Sequence, residues 1–522
     1  MAMWLNHRHL YLLGLATILC GLGWSNILMS IGQFIIIGNW IIEFEFKRKL
    51  SKLKKSPIIW IVLALFLVHV LGLLWTTDFN YAIKDITTKL PLLAFPIIIG
   101  TTKKLRFVEW KLLLGIYVTT LFILTIASLG KYLSWWGAEI HDKRELSIYI
   151  SHIRYGLNLA FAAILLLWYK PLPSKAINIA LAFWFAACLV LFQLYTGLII
   201  LGTVLFVISI VKRKAIFKYS YLIGLYYLFF LTTVVFLGYE ARQVYLDFNR
   251  FFKLAYDQDD MSYSETVNGE IYSHEGSDVR KENGVYTRRF IARNEIEKEW
   301  EKVSLFPFKN EKGTDNPIAQ RLYRYMSSKG LKKDSSNFST LNLEEIKAIE
   351  EGVANYYYLT HNSLQNRLHK IFYELKEYQR TDNASGYSIA MRLEYWKTGL
   401  AIFQKNKTLG VGTGDIKIAF KEEYELTNSK LDLEYRNRAH NQYLTFLACF
   451  GIIGFIILLF AIYYPFLVLR SNPVLGMTFI LLMSLSFLTE DTLETQAGVT
   501  LFAFFYSMII LGINDYRERR FK

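Results

Sequence analysis

Arg436-Asn-Arg-Ala-His-Asn-Gln-Tyr-Leu444 runs without a break into the apolar stretch Thr445 to Leu469. A cationic loop bearing a histidine therefore stands where a polar chain enters a segment of membrane-spanning length. Guanidinium groups hold phosphate oxygens in bidentate fashion, and an imidazole accepts a proton near neutral pH. Placed at a membrane surface, the pair suits an anionic, lipid-linked substrate.

Outward from that junction the chain is apolar. Its 522 residues are 53% hydrophobic and 16% aromatic, which excludes an ordinary soluble enzyme. Twelve segments approach the length needed to cross ~30 Å of hydrocarbon: about 9–25, 26–44, 57–75, 86–100, 110–130, 153–169, 176–193, 195–211, 219–238, 441–469, 474–489 and 497–513. The expected fold is an all-α polytopic membrane protein of about 12 transmembrane helices with a large, mainly helical loop domain outside the cytoplasm.

A net charge of +15 raises the question of nucleic-acid binding, but the positions of the basic residues answer it otherwise. Lys47 to Lys55, Lys103 to Arg106, Lys170 to Lys175, Lys212 to Lys218, Arg470 and Arg517 to Lys522 fall in every second loop, on one side of the membrane. The positive-inside rule makes that side the cytoplasm and places both termini there. The opposite side receives Asp78 to Asp85, Trp135 to His152, the region 239–440, and the acidic turn of Glu490, Asp491 and Glu494. The three cysteines, Cys20, Cys188 and Cys449, all lie within apolar segments and offer no disulfide framework. The first segment reads as a retained anchor rather than a cleaved signal.

Three regions follow: a transmembrane bundle of about nine spans over 1–238, a loop domain over 239–440, and about three further spans over 441–522. Within the loop domain, Asp257 to Lys281 shows little period and reads as loop or short strand, and helical spacing takes over from Arg288. Asn342-Leu-Glu-Glu345 carries an N-cap residue with Glu three positions later. From Ser388 to Lys405, Ile389, Leu393, Trp396, Leu400 and Phe403 form an apolar stripe suited to the membrane surface, with Trp396 at headgroup depth.

Several residues are candidates for chemistry. His440 reads either as a base or as an interfacial cap, and Asn441 equally as a contact residue or the N-cap of the helix beginning there. Arg392 either binds phosphate or snorkels to headgroups. Arg154 stands at the outer mouth of the sixth span, where a charge is costly unless paired or functional. Leu409-Gly-Val-Gly-Thr-Gly414 lacks the strand and Lys of a nucleotide loop and reads more simply as a turn than as an anion site. Glu490, Asp491 and Glu494 serve to bind an acceptor, orient His440 or pair with the arginines, or else form a solvated turn. No metal-binding spacing occurs, so arginines are the groups left to stabilise a departing diphosphate.

Arg392-x-x-x-Trp396, the glycine-rich turn, Ala439-His-Asn-Gln-Tyr-Leu444 and Gly451-Ile-Ile-Gly454, in that order, resemble the O-antigen ligase and polymerase superfamily. The resemblance is specific over about 385–470 and rests on topology elsewhere; 257–380 matches no family motif and stands as an insertion. It implies metal-independent, inverting glycan transfer from an undecaprenyl diphosphate carrier at the periplasmic face of the bacterial inner membrane. By position His440 matches the family's base for the acceptor hydroxyl, Arg392 its diphosphate-gripping loop Arg, and Arg154 a second phosphate-binding Arg. Arg436, Arg438 and Asn441 are expected beside them as substrate-binding residues, with no metal and no cofactor. The partners implied are the lipid-linked glycan donor, a lipid A core sugar or another glycan or protein acceptor, and membrane lipids, with no nucleic acid. A ligase is the leading expectation. A polymerase and a protein O-oligosaccharyltransferase share the same donor chemistry, and a transporter or flippase is the rival from another class, disfavoured by spans almost free of mid-depth charge.

Overall fold

The computed structural model describes residues 6–137, 143–213, 220–254, 265–274, 280–309, 316–468 and 473–513. The basic positions Lys214, Lys218, Arg470 and Arg517 to Lys522, with much of the 257–281 stretch, lie outside the described residues. Among the described residues the protein is mostly helical, and the one sheet is three short antiparallel strands, Phe252–Leu254, Arg280–Glu282 and Val285–Tyr286.

All twelve apolar segments lie largely within helices. Among the described residues four helices are long and apolar enough to cross a membrane: Pro57–Trp75, Phe107–Tyr132, Gly224–Arg250 and Gln442–Val468. A fifth is added if Asn26–Ile42 and Phe46–Lys55, bent by 108° at their junction, count as one. Five more apolar helices, among them His152–Trp168 and Lys175–Leu191, are shorter. A helix of 17 residues rises about 25 Å, a little short of a full hydrocarbon core. Phe79–Thr101, which contains 86–100, carries Lys84, Asp85 and Lys89 and is apolar only in its second half. Large apolar side chains such as Ile27, Phe34, Leu74, Val108, Phe183 and Ile199 face outward, as on a lipid-facing surface.

By contacts the chain divides into two units, Met1–Tyr219 with Met391–Lys522, and Ser220–Ala390. The segment from Met391 to the Gln442–Val468 helix therefore belongs with the apolar bundle.

In the bundle, close helix approach depends on small residues. Gly156 and Gly197 face one another so tightly that a Cβ at Gly197 would lie 2.5 Å from the Gly156 carbonyl oxygen. This contact fixes His152–Trp168, and with it Arg154, against Tyr195–Val211. The Gln442–Val468 helix is interrupted at Gly451, whose φ of 60° and ψ of −164° belong to a region that essentially only glycine enters.

The second unit has a soluble-type core. Ile291, Ile296, Trp300, Leu322, Met326 and Ile349 are buried together among short helices. Asn342 and Glu345 form the capping box expected at Leu343–Glu350, and Asn362 with Gln365 forms another at Ser363–Thr381. The latter helix packs on Ser220–Phe251 through Phe248 and Tyr373.

Candidate functional site

The glycine-rich turn is the scaffold of the site. Val411 and Gly412 donate their N–H groups to the carbonyls of Ala448 and Cys449 at 2.9 and 2.8 Å, and Ile452 donates to Lys407 at 2.8 Å. The turn thus satisfies the backbone groups that the break at Gly451 leaves open, which an apolar environment demands. Gly414 N–H goes to Thr76 Oγ1 at 3.0 Å and Thr413 Oγ1 donates to the His69 carbonyl at 2.6 Å. These N–H groups are spent within the protein, which bears out the turn over the anion site. Asp415, just after it, accepts from Thr77 and Asp78 N–H at 2.9 and 2.8 Å and locks the turn to the start of Phe79–Thr101. His69 packs edge-on against Phe450 at 4.8 Å, a core residue as its mid-segment place suggests.

The acidic turn after Pro473–Thr489 organises everything polar near His440. Asp491 accepts the backbone N–H groups of His440 and Asn441 at 3.0 and 3.1 Å and the Thr445 hydroxyl at 2.7 Å. Asn441 Oδ1 in turn accepts from Tyr443 and Leu444 N–H at 3.1 and 3.2 Å, so it is the N-cap of the Gln442–Val468 helix. His440 itself has φ of 46°, a left-handed conformation unusual for a side chain with a Cβ. The two hydrogen bonds to Asp491 hold that turn, and it presents the imidazole outward, 39% exposed.

Glu490 is the hinge between two candidate residues. Its Oε1 accepts from Arg392 Nη2 at 3.0 Å, and its Oε2 faces His440 Nδ1 at 3.3 Å. The imidazole also stacks on Tyr395, centroids 5.5 Å apart, and Tyr395 OH is anchored on the Tyr435 carbonyl at 2.7 Å. A carboxylate facing Nδ1 favours the tautomer with its proton there and leaves Nε2 as the basic nitrogen. Arg154 lies near enough to Glu490 for the two charges to attract, and no ion pair for it is found among the described residues.

The other predicted residues are occupied. Arg438 Nη1 bonds Glu494 Oε2 at 2.9 Å and Tyr81 OH at 3.2 Å, and Lys89 Nζ shares the same carboxylate oxygen at 2.9 Å while also bonding Asp85 at 2.8 Å. Gln442 Nε2 donates to the second Glu494 oxygen at 3.1 Å. Burial opposes the charge of Glu494, but Lys89 and Arg438 outweigh it and hold the carboxyl far below the usual range. Arg438 is likewise buried, and Glu494 lifts its pKa above the ordinary value despite that burial. Burial pushes the Asp491 carboxyl up, with Arg438 pulling against it. Arg436 points back into its own loop, donating to the Leu431 and Ser429 carbonyls at 3.0 Å each.

The structure therefore brings His440, Arg392 and Glu490 together, with Arg154 within electrostatic reach of Glu490, and commits Arg436, Arg438 and Asn441 to protein partners. The apolar stripe of Leu393, Trp396 and Leu400 is the exposed face of Ser388–Lys405, and Ala390, Tyr395 and Ile402 are the buried one. Arg392 turns from that stripe to Glu490. Sequence reading passed over Tyr395 and Lys89. For Lys89 there was a signal, since a lysine inside an apolar segment requires partners.

Residues 342–459 match the family model described as O-antigen ligase. That stretch contains Arg392, the glycine-rich turn and His440. A search of curated proteins finds no match. Members of the family are membrane glycosyltransferases of the ligase and polymerase type, and the apolar helices described above agree with such a setting. Over residues 342–459, which include the break in the apolar Gln442–Val468 helix, the chain is similar to the O-antigen ligase family.

Proposed function

We propose that the protein transfers a glycan from undecaprenyl diphosphate to a hydroxyl of a lipid A core sugar, at the periplasmic face of the bacterial inner membrane. The observation that carries this reading is the shared carboxylate: Glu490 holds His440 Nδ1 and Arg392 at one place, with Arg154 near it. In this account the chain crosses the membrane about twelve times with both termini cytoplasmic, and its large loop lies in the periplasm.

His440 Nε2 takes the proton from the acceptor hydroxyl as its oxygen attacks the anomeric carbon from the face opposite the diphosphate. The anomeric carbon–oxygen bond breaks, its electron pair stays on the departing diphosphate, and the configuration inverts. Charge grows on the leaving group through this step, so Arg392 and Arg154 aimed there stabilise the transition state more than the ground state. Glu490 both fixes the His440 tautomer and stabilises the imidazolium that forms. Glu490, Asp491 and Glu494 are each already bonded to a cation or to N–H groups, which supports arginine rather than metal stabilisation of the diphosphate. Arg436, Arg438 and Asn441 in this reading build the loop that presents His440.

A lipopolysaccharide gel with an anti-glycan blot tests it, comparing a strain lacking the protein and complemented by the intact chain or by His440→Ala. The account expects long glycan on the carrier lipid and none on lipid A with His440→Ala, and full transfer with the intact chain. A core bearing one repeat and no ladder would assign the protein as the polymerase, and normal lipopolysaccharide with His440→Ala would remove the catalytic role.

A further inference from the structure

The Ser220–Ala390 unit encloses a cavity of about 200 Å³. Its wall is aromatic: Tyr357 lies between His361, at 3.6 Å and 5° between planes, and His369, at 4.3 Å and 20°. Phe248 and Tyr358 pack edge-on against His369 at 5.3 and 5.5 Å. The polar groups of the cavity are placed with equal care. Asn355 Oδ1 accepts Tyr357 N–H at 2.9 Å, its Nδ2 donates to Glu282 at 3.1 Å, and the other Glu282 oxygen faces Arg324 Nε at 3.3 Å. The charge of Glu282 is therefore met from within.

One polar atom is left over. His369 is 7% exposed, and its Nδ1 has no hydrogen-bond partner among the described residues. Leaving such an atom buried and unpaired costs roughly 1–3 kcal/mol, and its companions in a cavity wall are the usual signature of a ligand group not yet in place. Burial, with Arg324 and His361 adding to it, lowers the His369 pKa to about 4, so the ring is neutral at working pH. It offers a hydrogen bond and no charge.

We propose that this cavity is a saccharide subsite that takes one uncharged sugar ring of the glycan. Aromatic rings pack against the C–H faces of a pyranose, while Thr360, Asn283 and His369 line the same space with groups that bond hydroxyls. The volume equals about seven waters at ~30 Å³ each, the scale of a single ring rather than of a polyprenyl chain or a nucleotide. With Glu282 internally neutralised and no cation lining the cavity among the described residues, a phosphate finds no counter-charge from them there. The proposal rests on the glycan-transfer reading for the choice of a sugar as ligand, but binding is read without turnover.

The test is saturation-transfer NMR on the full chain in detergent micelles, with the methyl glycosides of glucose, galactose, N-acetylglucosamine and rhamnose as probes and inorganic phosphate as a competitor. The expected result is transfer to ring C–H protons of at least one glycoside, unaffected by phosphate. Affinity should fall on the order of tenfold in His369→Phe, which keeps the ring stack and removes the nitrogen. Thr360→Val, at the exposed end of the cavity, should weaken it too and guards against a folding defect. His440→Ala should bind as the intact chain does, even where it abolishes transfer. Absence of transfer to every glycoside, displacement by phosphate, or unchanged binding in both cavity variants overturns the proposal.

Discussion

Arg392 and His440 are held by the two oxygens of one carboxylate, Glu490, with Nη2 of the first at 3.0 Å and Nδ1 of the second at 3.3 Å. An arginine on one helix and a histidine at the start of another thereby share a fixed reference, and any change in Glu490 is felt at both.

Glu490→Gln keeps the shape and removes the charge. An amide can face Nδ1 with its N–H₂ group, favouring the wrong tautomer and withdrawing support from the imidazolium. Transfer should fall on the order of 10²-fold or more, mainly in kcat, with the protein still folded. A steady-state comparison on purified chain decides it, and an unchanged kcat would show that Glu490 does not act through His440.

Glu494 joins two cations, Lys89 and Arg438, in a buried group. Removing one member of a buried ion pair costs about 3–5 kcal/mol because the others lose their compensation. Glu494→Gln, which strands Arg438 and leaves Lys89 with Asp85 alone, should lower the unfolding midpoint in detergent more than Lys89→Met, which leaves the Arg438 pair intact. Equal midpoints would contradict the shared role.

Gly451→Ala tests the break in the Gln442–Val468 helix. A Cβ there would sit 2.3 Å from the Thr408 carbonyl oxygen, on a backbone that only glycine adopts readily. The substitution should destabilise by about 3 kcal/mol or more and reduce the amount of folded protein in membranes. A mild change would mean that the turn at 408–414 does not depend on this contact.

Lys333 in the loop unit is buried, with its ammonium on the Tyr286 and Arg289 carbonyls. Burial lowers its pKa to about 7, against a smaller attraction from Glu282. The folded form binds fewer protons than the unfolded form between about pH 7 and the ordinary lysine range, so stability should rise with pH across that window. Hydrogen exchange of peptides covering 280–340 should slow from pH 7 to 9.5, after correction for intrinsic exchange. Lys333→Met should flatten that trend.

Much of this was legible in the sequence because it rests on local pattern. Apolar run lengths gave the helices, and the capping box at Asn342 and Glu345 is a four-residue signal. His440 and Arg392 stood out by type and setting, and by resemblance to a family. What escaped depends on contacts distant in the chain. Nothing near Arg438 announces that its partner is Glu494, 56 residues further along the chain. The stripe on Ser388–Lys405 gave the exposed face, and Tyr395, one turn from Arg392 on the inner side, becomes meaningful only once His440 is stacked on it. The glycine-rich turn is similar: its glycines serve close approach to Cys449 and Thr76, which the spacing alone cannot distinguish from a phosphate cradle.

The most direct measurement is single-turnover transfer by the chain reconstituted in nanodiscs, from an undecaprenyl-diphosphate-linked glycan to a lipid A core acceptor. The account predicts that His440→Ala slows the step by about 10²–10⁴-fold while donor binding persists. His440→Ala turning over at the rate of the intact chain would contradict it.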